Sequence, residues 1–565
     1  MATANLELVR FKTKPFKPRR LLLKCAREDA RKATAALGCE PTKEGFTYPC
    51  DEVVILVLRH LFEDDLVLTE DCEQWYNAQN EWAKQMCELA AASDGTVHVP
   101  YSEELKPYQR SGIAWGAKVK RGIIADDRGL GKTLEALSIA LEVGAKQVLI
   151  TVPGYLKRNW AREIDAWILE PTAVVVGERA QREEILYEAF HCGIRFVIVN
   201  YEMLREDKAK GGYPELHNRQ WDLVLFDEGH RLCNRNNQWT LGAKKLKTEY
   251  LFPLTGTPIA GMPDDLWSLL NLMYPDKYTS YWKFVEYYCN VIEGFFGKEI
   301  QGVNSAHLAQ LQFTLQPILI RRLKKDVAPY LPDKVNHFIE VDLEGKQKTF
   351  YKRIEKQMVI ELADGGLDII DTVVAKNLRM QQALANPAIL GGVDQSVVEE
   401  TALELINDLL HDSNPKVIVG MWFRGALDLF IEKLTKAKIK HYIIHGEVKA
   451  ETRDGIVEAF KHNPEPCVLV GTIRAMSEGI NVDECDAMIF MDKSYRPLDN
   501  DQFSDRIHRL TSTTVKNYYH IVVRDSISEV RESILQQKTD TANEVMNMEA
   551  LHLRVAKQMV ERAQK

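Results

Sequence analysis

The stretch IIADDRGLGKTLEAL, residues 123 to 137, holds a glycine-rich turn ending in Gly131-Lys132-Thr133. It meets half of the phosphate-loop pattern G-x-x-x-x-G-K-[ST]: Asp126 stands where the first glycine belongs, and Gly129 supplies a second glycine nearby. The preceding GII reads as the end of a buried strand and TLEALSIALEV as a helix, so the glycines sit at a strand-to-helix turn. In such a turn the backbone N–H groups of Gly129, Leu130 and Gly131 and the helix N-terminus face an anion. Lys132 reaches the outer phosphates of a nucleotide, and the Thr133 hydroxyl holds a magnesium ion. The loop alone leaves a plain tight turn open as the alternative.

A second stretch, LVLFDEGH, supplies what such a site lacks. Asp227 follows an apolar strand-like run and can hold Mg2+ opposite Thr133, directly or through water. Glu228, next along, can orient and deprotonate an attacking water, and His230 can link the pair to a neighbouring element. An Asp-Glu pair at a strand end is common by itself. Downstream of a Gly-Lys-Thr loop it turns the turn reading into a nucleotide reading.

These residues must be positioned by more than one core. The chain has 565 residues, and a prior of about 150 residues per domain suggests roughly three or four units. Hydrophobic residues at 45% and charged residues at 27% fit a folded protein without long disorder. No run of about eighteen apolar residues appears, and the N-terminus has no apolar signal core, so the reading is an intracellular protein without a membrane span. Ten cysteines are scattered without CxxC spacing, which implies reduced thiols and no zinc site.

From Tyr101 to about Pro275, apolar runs such as QVLITVP, RFVIVNY and DLVLFDE alternate with helical patterns, the rhythm of a parallel α/β sheet. A second set, including KVIVGMW, CVLVGTI and AMIFMDK, comes late in the chain. The segments near 281–317 and 345–385 read as helical protrusions. The expected fold class is therefore α/β with two parallel-sheet lobes, helical protrusions and a small N-terminal accessory domain. Net charge is −8 and the pI about 6.0, so attraction to nucleic acid must be local. Arg10, Lys12, Lys14, Lys17, Arg19, Arg20, Lys24, Arg27, Arg31 and Lys32 form one such local run. A solvated arm fits it equally well, and a nuclear-import signal is a third reading.

Further motifs complete a resemblance. LKPYQRSGIAW, LITVPGYLKRNWAREI, YLFPLTGTPIAGMPDDLWSLLNLMYP, LQPILIRRLKKDVAPYLPDK and GTIRAMSEGINVDECDAMIFMDKSYRPLDNDQFSDRIHRL occur in that order around the two stretches above. Together they resemble the motifs of the Swi/Snf-type DNA translocases of helicase superfamily 2, over about residues 101–535. The resemblance implies two RecA-like lobes. With the strand and helix patterns around it, this divides the chain into an accessory domain with a basic arm at 1–98, the first lobe at 99–333, the second lobe at 334–541 and a C-terminal helix at 542–565. The resemblance makes Gln109 the adenine-reading residue and explains Asp126, because the family loop carries an acidic residue there.

In the last motif, Gln502, Arg506 and Arg509 have the spacing of one helical face, so both arginines would point at a triphosphate and stabilise charge as it develops. The resemblance suggests Lys157, Arg158, Thr472 and Arg474 as contacts to DNA phosphates, which position without reading sequence. Departures are Asp127 and Arg128 for Glu and Met, Gly229 for Ala, Ala475-Met476-Ser477 for Ala-Gly-Gly, Tyr495-Arg496-Pro497 for Trp-Asn-Pro, and Leu510 after Arg509 for Ile. None removes a catalytic group.

The implied activity is an ATP- and Mg2+-dependent translocase on double-stranded or branched DNA that remodels or anneals forks or displaces bound protein. The implied protein is a monomer, with a protein recruiter as a further partner. It would act with DNA in bacterial or phage-infected cytoplasm, or in a nucleus. The alternatives are an RNA or RNA-polymerase-associated translocase, and a nucleotide-gated DNA-binding or annealing module with little turnover.

Overall fold

A computed structural model describes residues 4–9, 20–205, 211–259, 263–294, 297–363, 369–412, 416–477, 480–509 and 511–546. The chain divides into two compact units, Met1–Leu323 with Asp540–Lys565, and Lys324–Thr539. The C-terminal helix expected at 542–565 lies outside the described residues beyond position 546, as do five of the ten residues of the basic run, Arg10 to Arg19.

The first unit begins with five strands, β1 (Ala4–Val9), β2 (Arg20–Lys24), β3 (Glu40–Pro41), β4 (Phe46–Pro49) and β5 (Leu66–Leu68), in the order β3-β4-β2-β1-β5. Helices Glu52–Phe62 and Glu70–Ala91 accompany them, and Leu6, Leu21, Leu23, Tyr48, Ile55 and Leu58 belong to a core of their own. Part of the basic run is thus folded structure. Arg20 pairs with Glu40 at 3.0 Å and Lys24 with Glu7 at 2.8 Å, both on strands. Lys277 of the following lobe reaches Asp51 at 3.1 Å and Glu52 at 3.2 Å, where both carboxylates are buried. This ion cluster ties the accessory fold to the lobe.

The lobe's sheet contains β6 (Ile123–Ile124), β7 (Val148–Val152), β8 (Thr172–Val174), β9 (Phe196–Asn200), β10 (Gln220–Asp227) and β11 (Lys247–Leu254). After a hairpin of β12 (Cys289–Gly294) and β13 (Gly297–Val303), β14 (Leu319–Ile320) closes its edge. The order is β14-β6-β11-β10-β7-β9-β8 and every pairing is parallel. Central strands are apolar on both faces because helices cover both, and Val148 to Ile150 and Leu223 to Phe226 are at most 0% exposed. The first segment expected to be helical holds helices Tyr281–Tyr288 and Leu308–Leu315 with the hairpin between them. Alternating NVIEG and glycines at 294 and 297 favour paired strands over a continuous helix.

The second unit has β15 (Lys334–Val341), β16 (Lys416–Met421), β17 (His441–Ile444), β18 (Cys467–Thr472), β19 (Ala487–Phe490) and β20 (Lys516–Val523), in the all-parallel order β15-β20-β19-β16-β18-β17. Helices Gly345–Ala363 and Ile369–Ala385 form its helical segment. The architecture is α/β with two parallel-sheet lobes. Among the described residues no helix is long and apolar enough to cross a membrane.

Candidate functional site

In the first unit, the loop after β6 leads into helix Lys132–Glu142, whose apolar face of Leu134, Leu137, Ile139 and Ala140 is buried. Gly129 and Gly131 have φ of +84° and +81°, the left-handed region that side chains resist. Gly131 has a second reason to lack a Cβ: one would lie 2.4 Å from the Gln109 amide nitrogen. Gln109 sits in the first turn of helix Pro107–Val119. Its Oε1 accepts from the Lys106 N–H at 3.0 Å, and its Nε2 donates to the Leu130 carbonyl at 3.2 Å, which the Tyr108 hydroxyl also reaches at 3.0 Å. Gln109 therefore braces the loop from behind.

The Lys132 ammonium folds over the loop, donating to the Asp126 carbonyl at 2.6 Å and the Asp127 carbonyl at 3.1 Å. Burial lowers its pKa, while Asp126, Glu228 and Asp227 oppose that shift. A lysine so placed can exchange carbonyl oxygens for phosphate oxygens without crossing the site. Thr133 follows it, half-buried, in the first helical turn. Arg128 is half-buried, with its Cγ 3.3 Å from where a Cβ on Gly256 would stand, and its charge acts on both Lys132 and Glu228. It belongs to the site and is not an outlying surface charge.

Asp227 and Glu228 close the end of β10. Asp227 accepts from the Trp160 indole at 2.7 Å and from the Glu228 N–H at 2.9 Å, and its carbonyl accepts the Tyr201 hydroxyl at 2.6 Å. Burial, reinforced by the Glu228 charge, raises its carboxyl above the ordinary range. Glu228 is held in the left-handed region at φ +51°. Burial pushes its carboxyl up, but the His230 imidazole 3.2 Å away, with Arg128 and Lys132, more than offsets this and holds it low. His230 also lies 3.4 Å from the Thr255 hydroxyl on the strand-end turn after β11. Gly229, where the family has Ala, sits against Pro253, whose Cβ would be 2.7 Å from an added methyl group. Crowding from β11 accounts for that departure.

In the second unit the expected single helical face is corrected. Helix Pro497–Ser504 carries Gln502 but stops at Ser504, so Arg506 and Arg509 lie on the turn and extended chain beyond it. They still converge, because Arg506 Nη1 and Arg509 Nη2 each donate to the Ile480 carbonyl at 3.1 Å. Arg506 Nε returns to the Gln502 carbonyl at 3.0 Å. Burial lowers the Arg509 pKa against the pull of Asp483 and Asp505. Leu510 lies outside the described residues.

The four residues suggested for DNA are unlike one another. Lys157 is only 4% exposed, and its ammonium donates inward to the Val175 carbonyl at 2.5 Å and to Asn200 Oδ1 at 2.6 Å. Burial, with the Arg182 charge nearby, lowers it to about 8. Its placement does not match the expected contact to DNA phosphates: the long side chain packs inside and its cation is engaged there. Arg158, next on the same helix, is exposed. Thr472 is half-buried at the start of the short helix Ile473–Met476, and Arg474 on that helix is exposed. Ala475, Met476 and Ser477, which replace the family's glycine-containing triplet, are buried.

Residues that reading the sequence did not single out are Trp160, Tyr201 and Arg322. Arg322 pairs with Asp126 and Glu135, both fully buried. Asp126, the apparent flaw in the loop pattern, is thus the acceptor for an arginine far along the chain. The Arg-Arg pair at 321–322 was the visible signal, but nothing local names its partner.

Two family models match the chain, the SNF2-related domain over residues 108–389 and the helicase conserved C-terminal domain over residues 400–511. The chain belongs to the Swi/Snf-type family of helicase superfamily 2. Human "Chromodomain-helicase-DNA-binding protein 7" is 27% identical over 481 residues, 77% of this chain and 16% of that protein. The "Uncharacterized ATP-dependent helicase MG018" of Mycoplasma genitalium is 25% identical over 511 residues, 87% of this chain and 47% of the relative. The chain therefore spans less than half of either relative's length. Among solved structures, "Sulfolobus solfataricus SWI2/SNF2 ATPase core in complex with dsDNA" is 23% identical, covers 79% of this chain and 94% of that one, and gives a TM-score of 0.38.

Proposed function

We propose that this Swi/Snf-family chain is an ATP-driven translocase on double-stranded DNA that remodels or anneals branched structures or displaces bound protein. The observation that carries the nucleotide half is the Lys132 ammonium resting on loop carbonyls beside Asp227 and Glu228. The donor set fits a nucleoside triphosphate: a cradle of two left-handed glycines, a cation over it and a helix N-terminus below. It also fits Mg2+, which takes few protein ligands and completes its octahedron with waters and phosphate oxygens. Thr133 and Asp227 would be those ligands, and a cation there would favour the charged Asp227 carboxylate that burial and Glu228 disfavour. The bound ion supplies charge neutralisation on the transferring phosphoryl group.

The chain's own residues do the rest. Gln109 fixes the loop through both ends of its amide, and family membership supports its reading of the base. Lys132 moves from backbone carbonyl to phosphate oxygen. Glu228, kept ionised by His230, orients the attacking water and takes its proton. Arg506 and Arg509 present fork donors to the developing charge, and Gln502 supports Arg506 through its carbonyl. Arg158, Thr472 and Arg474 serve as phosphate contacts on DNA. Family membership supports the duplex substrate and the intracellular, DNA-associated setting.

The test is turnover of ATP by the full chain with single-stranded, duplex, forked and four-way DNA and with RNA, beside Glu228→Gln. The reading expects stimulation by duplex-containing DNA and a loss of orders of magnitude in Glu228→Gln with ATP binding kept. Stimulation by RNA alone would move the substrate class. Wild-type turnover in the variant would remove Glu228 from its role.

A further inference from the structure

Asp126 makes two contacts that lead in different directions. Its carbonyl accepts from Lys132 at 2.6 Å, while its carboxylate takes Arg322, from the backbone N–H and from Nε at 2.9 Å each, and from Nη2 as well. The same guanidinium carries on to Glu135 at 2.6 and 2.7 Å and to the Tyr108 carbonyl. The backbone repeats the connection: Ala125 N–H donates to the Ile320 carbonyl at 2.7 Å, and Asp127 N–H to the Arg322 carbonyl at 2.9 Å. The β14–β6 ladder thus runs directly into the phosphate loop. Gly112 shows how closely the cluster is packed, since a Cβ there would lie 1.8 Å from Glu135 Oε1 and 2.8 Å from Arg322 Nη2. One residue beyond Arg322 the first unit ends, and Lys324 begins the second.

We propose that Arg322 is a positioning residue that makes the geometry of the phosphate loop and the course of the chain leaving the first unit depend on each other. The inference rests on the nucleotide reading of the loop. When a triphosphate draws Lys132 off the Asp126 carbonyl, the Asp126 main chain is released on one side while its carboxylate stays clamped on the other. Any adjustment of that residue is transmitted through a rigid, bidentate guanidinium to residues 320–323, and so along the chain into the second unit. Lysine at this position offers a compact ammonium in place of the planar fork, and cannot make the paired bonds to Asp126 and Glu135 that fix Arg322 between them. By reciprocity, whatever fixes the exit segment also changes the loop's affinity for nucleotide.

The experiment is amide hydrogen exchange on the full chain, with and without a non-hydrolysable ATP analogue and Mg2+, in the wild type, Arg322→Lys and Asp126→Asn. Asp126→Asn keeps the shape of the cluster, removes the carboxylate that the guanidinium clamps, and serves if Arg322→Lys folds poorly. In the wild type the analogue is expected to slow exchange both at 126–135 and at 319–327, by at least about fivefold, the low end of a coupling between sites. In the variants the loop stays protected and the protection at 319–327 is lost. A merely stabilising cluster would lower melting temperature yet leave the nucleotide-induced protection at 319–327 in place, which overturns the proposal. Protection of the loop without protection of 319–327 in the wild type overturns it too. Protection of neither segment in the wild type overturns the nucleotide reading and, with it, this inference.

Discussion

Arg322 in the first unit and Arg509 in the second are both largely buried, yet they reach different kinds of acceptor. Arg322 donates to two carboxylates that are themselves 0% exposed, and its charge is needed to keep them there. Arg509, with Arg506, donates to the main-chain carbonyl of Ile480, as Lys132 does to the carbonyls of Asp126 and Asp127. A hydrogen bond from a cation to a neutral carbonyl is modest in net terms, about 1.5–3 kcal/mol, and leaving it strands no ion. Breaking a buried ion pair strands one, at about 3–5 kcal/mol. The difference separates cations that can trade partners when an anion arrives from cations that cannot. Lys132 and Arg509, assigned here to the nucleotide phosphates, are of the first kind.

The largest expected effect follows from that contrast. Arg322→Ala leaves Asp126 and Glu135 buried without their counterion and should destabilise the first unit by about 3–5 kcal/mol. Lys132→Ala should lower its stability by less, about 1.5–3 kcal/mol, because two carbonyls lose a partner that water can replace and no ion is stranded, yet abolish measurable hydrolysis. All tryptophans except Trp422 lie in the first unit, so fluorescence-monitored urea unfolding reads that unit. Equal loss of stability in the two variants would erase the distinction between clamped and exchangeable cations.

A smaller effect is expected in the second unit. Arg506→Ala and Arg509→Ala should each reduce DNA-stimulated kcat about a hundredfold, the scale of one lost donor to a developing charge, with KM for ATP little changed. Circular-dichroism melts should stay near wild type. A rise in KM at constant kcat would make these arginines ground-state ligands.

The parts of the site that were legible in the sequence are those whose chemistry is local. The glycines, Lys132 and Thr133 are adjacent, and Asp227 and Glu228 end one apolar strand, so period and spacing suffice. The partner of Asp126 is 196 residues away, and no periodicity carries that information. Trp160 on Asp227 and Tyr201 on its carbonyl are similar products of a parallel sheet, which brings together the ends of strands distant in sequence. Spacing misled at Gln502, Arg506 and Arg509: positions four and seven apart predict one helical face, but the helix ends at Ser504. The side chains converge through a shared carbonyl supplied by Ile480. The sheets themselves were readable, since both-face burial leaves continuous apolar runs. The hairpin at 289–303 was missed because its alternation is short and flanked by true helices.

The smallest effect separates two neighbours. Lys157 and Arg158 begin the same helix and looked alike as phosphate contacts, but Lys157 points its ammonium at the Val175 carbonyl and Asn200 while Arg158 is exposed. If exposure decides, Arg158→Ala should weaken duplex binding uniformly across sequences and reduce the slope of log affinity against log salt by about one. Lys157→Met, which keeps the length of the side chain and removes its charge, should leave that slope unchanged while lowering stability, because the buried Val175 carbonyl and the half-buried Asn200 amide lose their donor. Binding is measured by anisotropy of a labelled duplex between about 50 and 200 mM salt, where the counterion term is steep. A slope lowered by Lys157→Met as much as by Arg158→Ala would mean that the ammonium leaves its internal acceptors for DNA, placing Lys157 with Lys132 among the cations that trade partners.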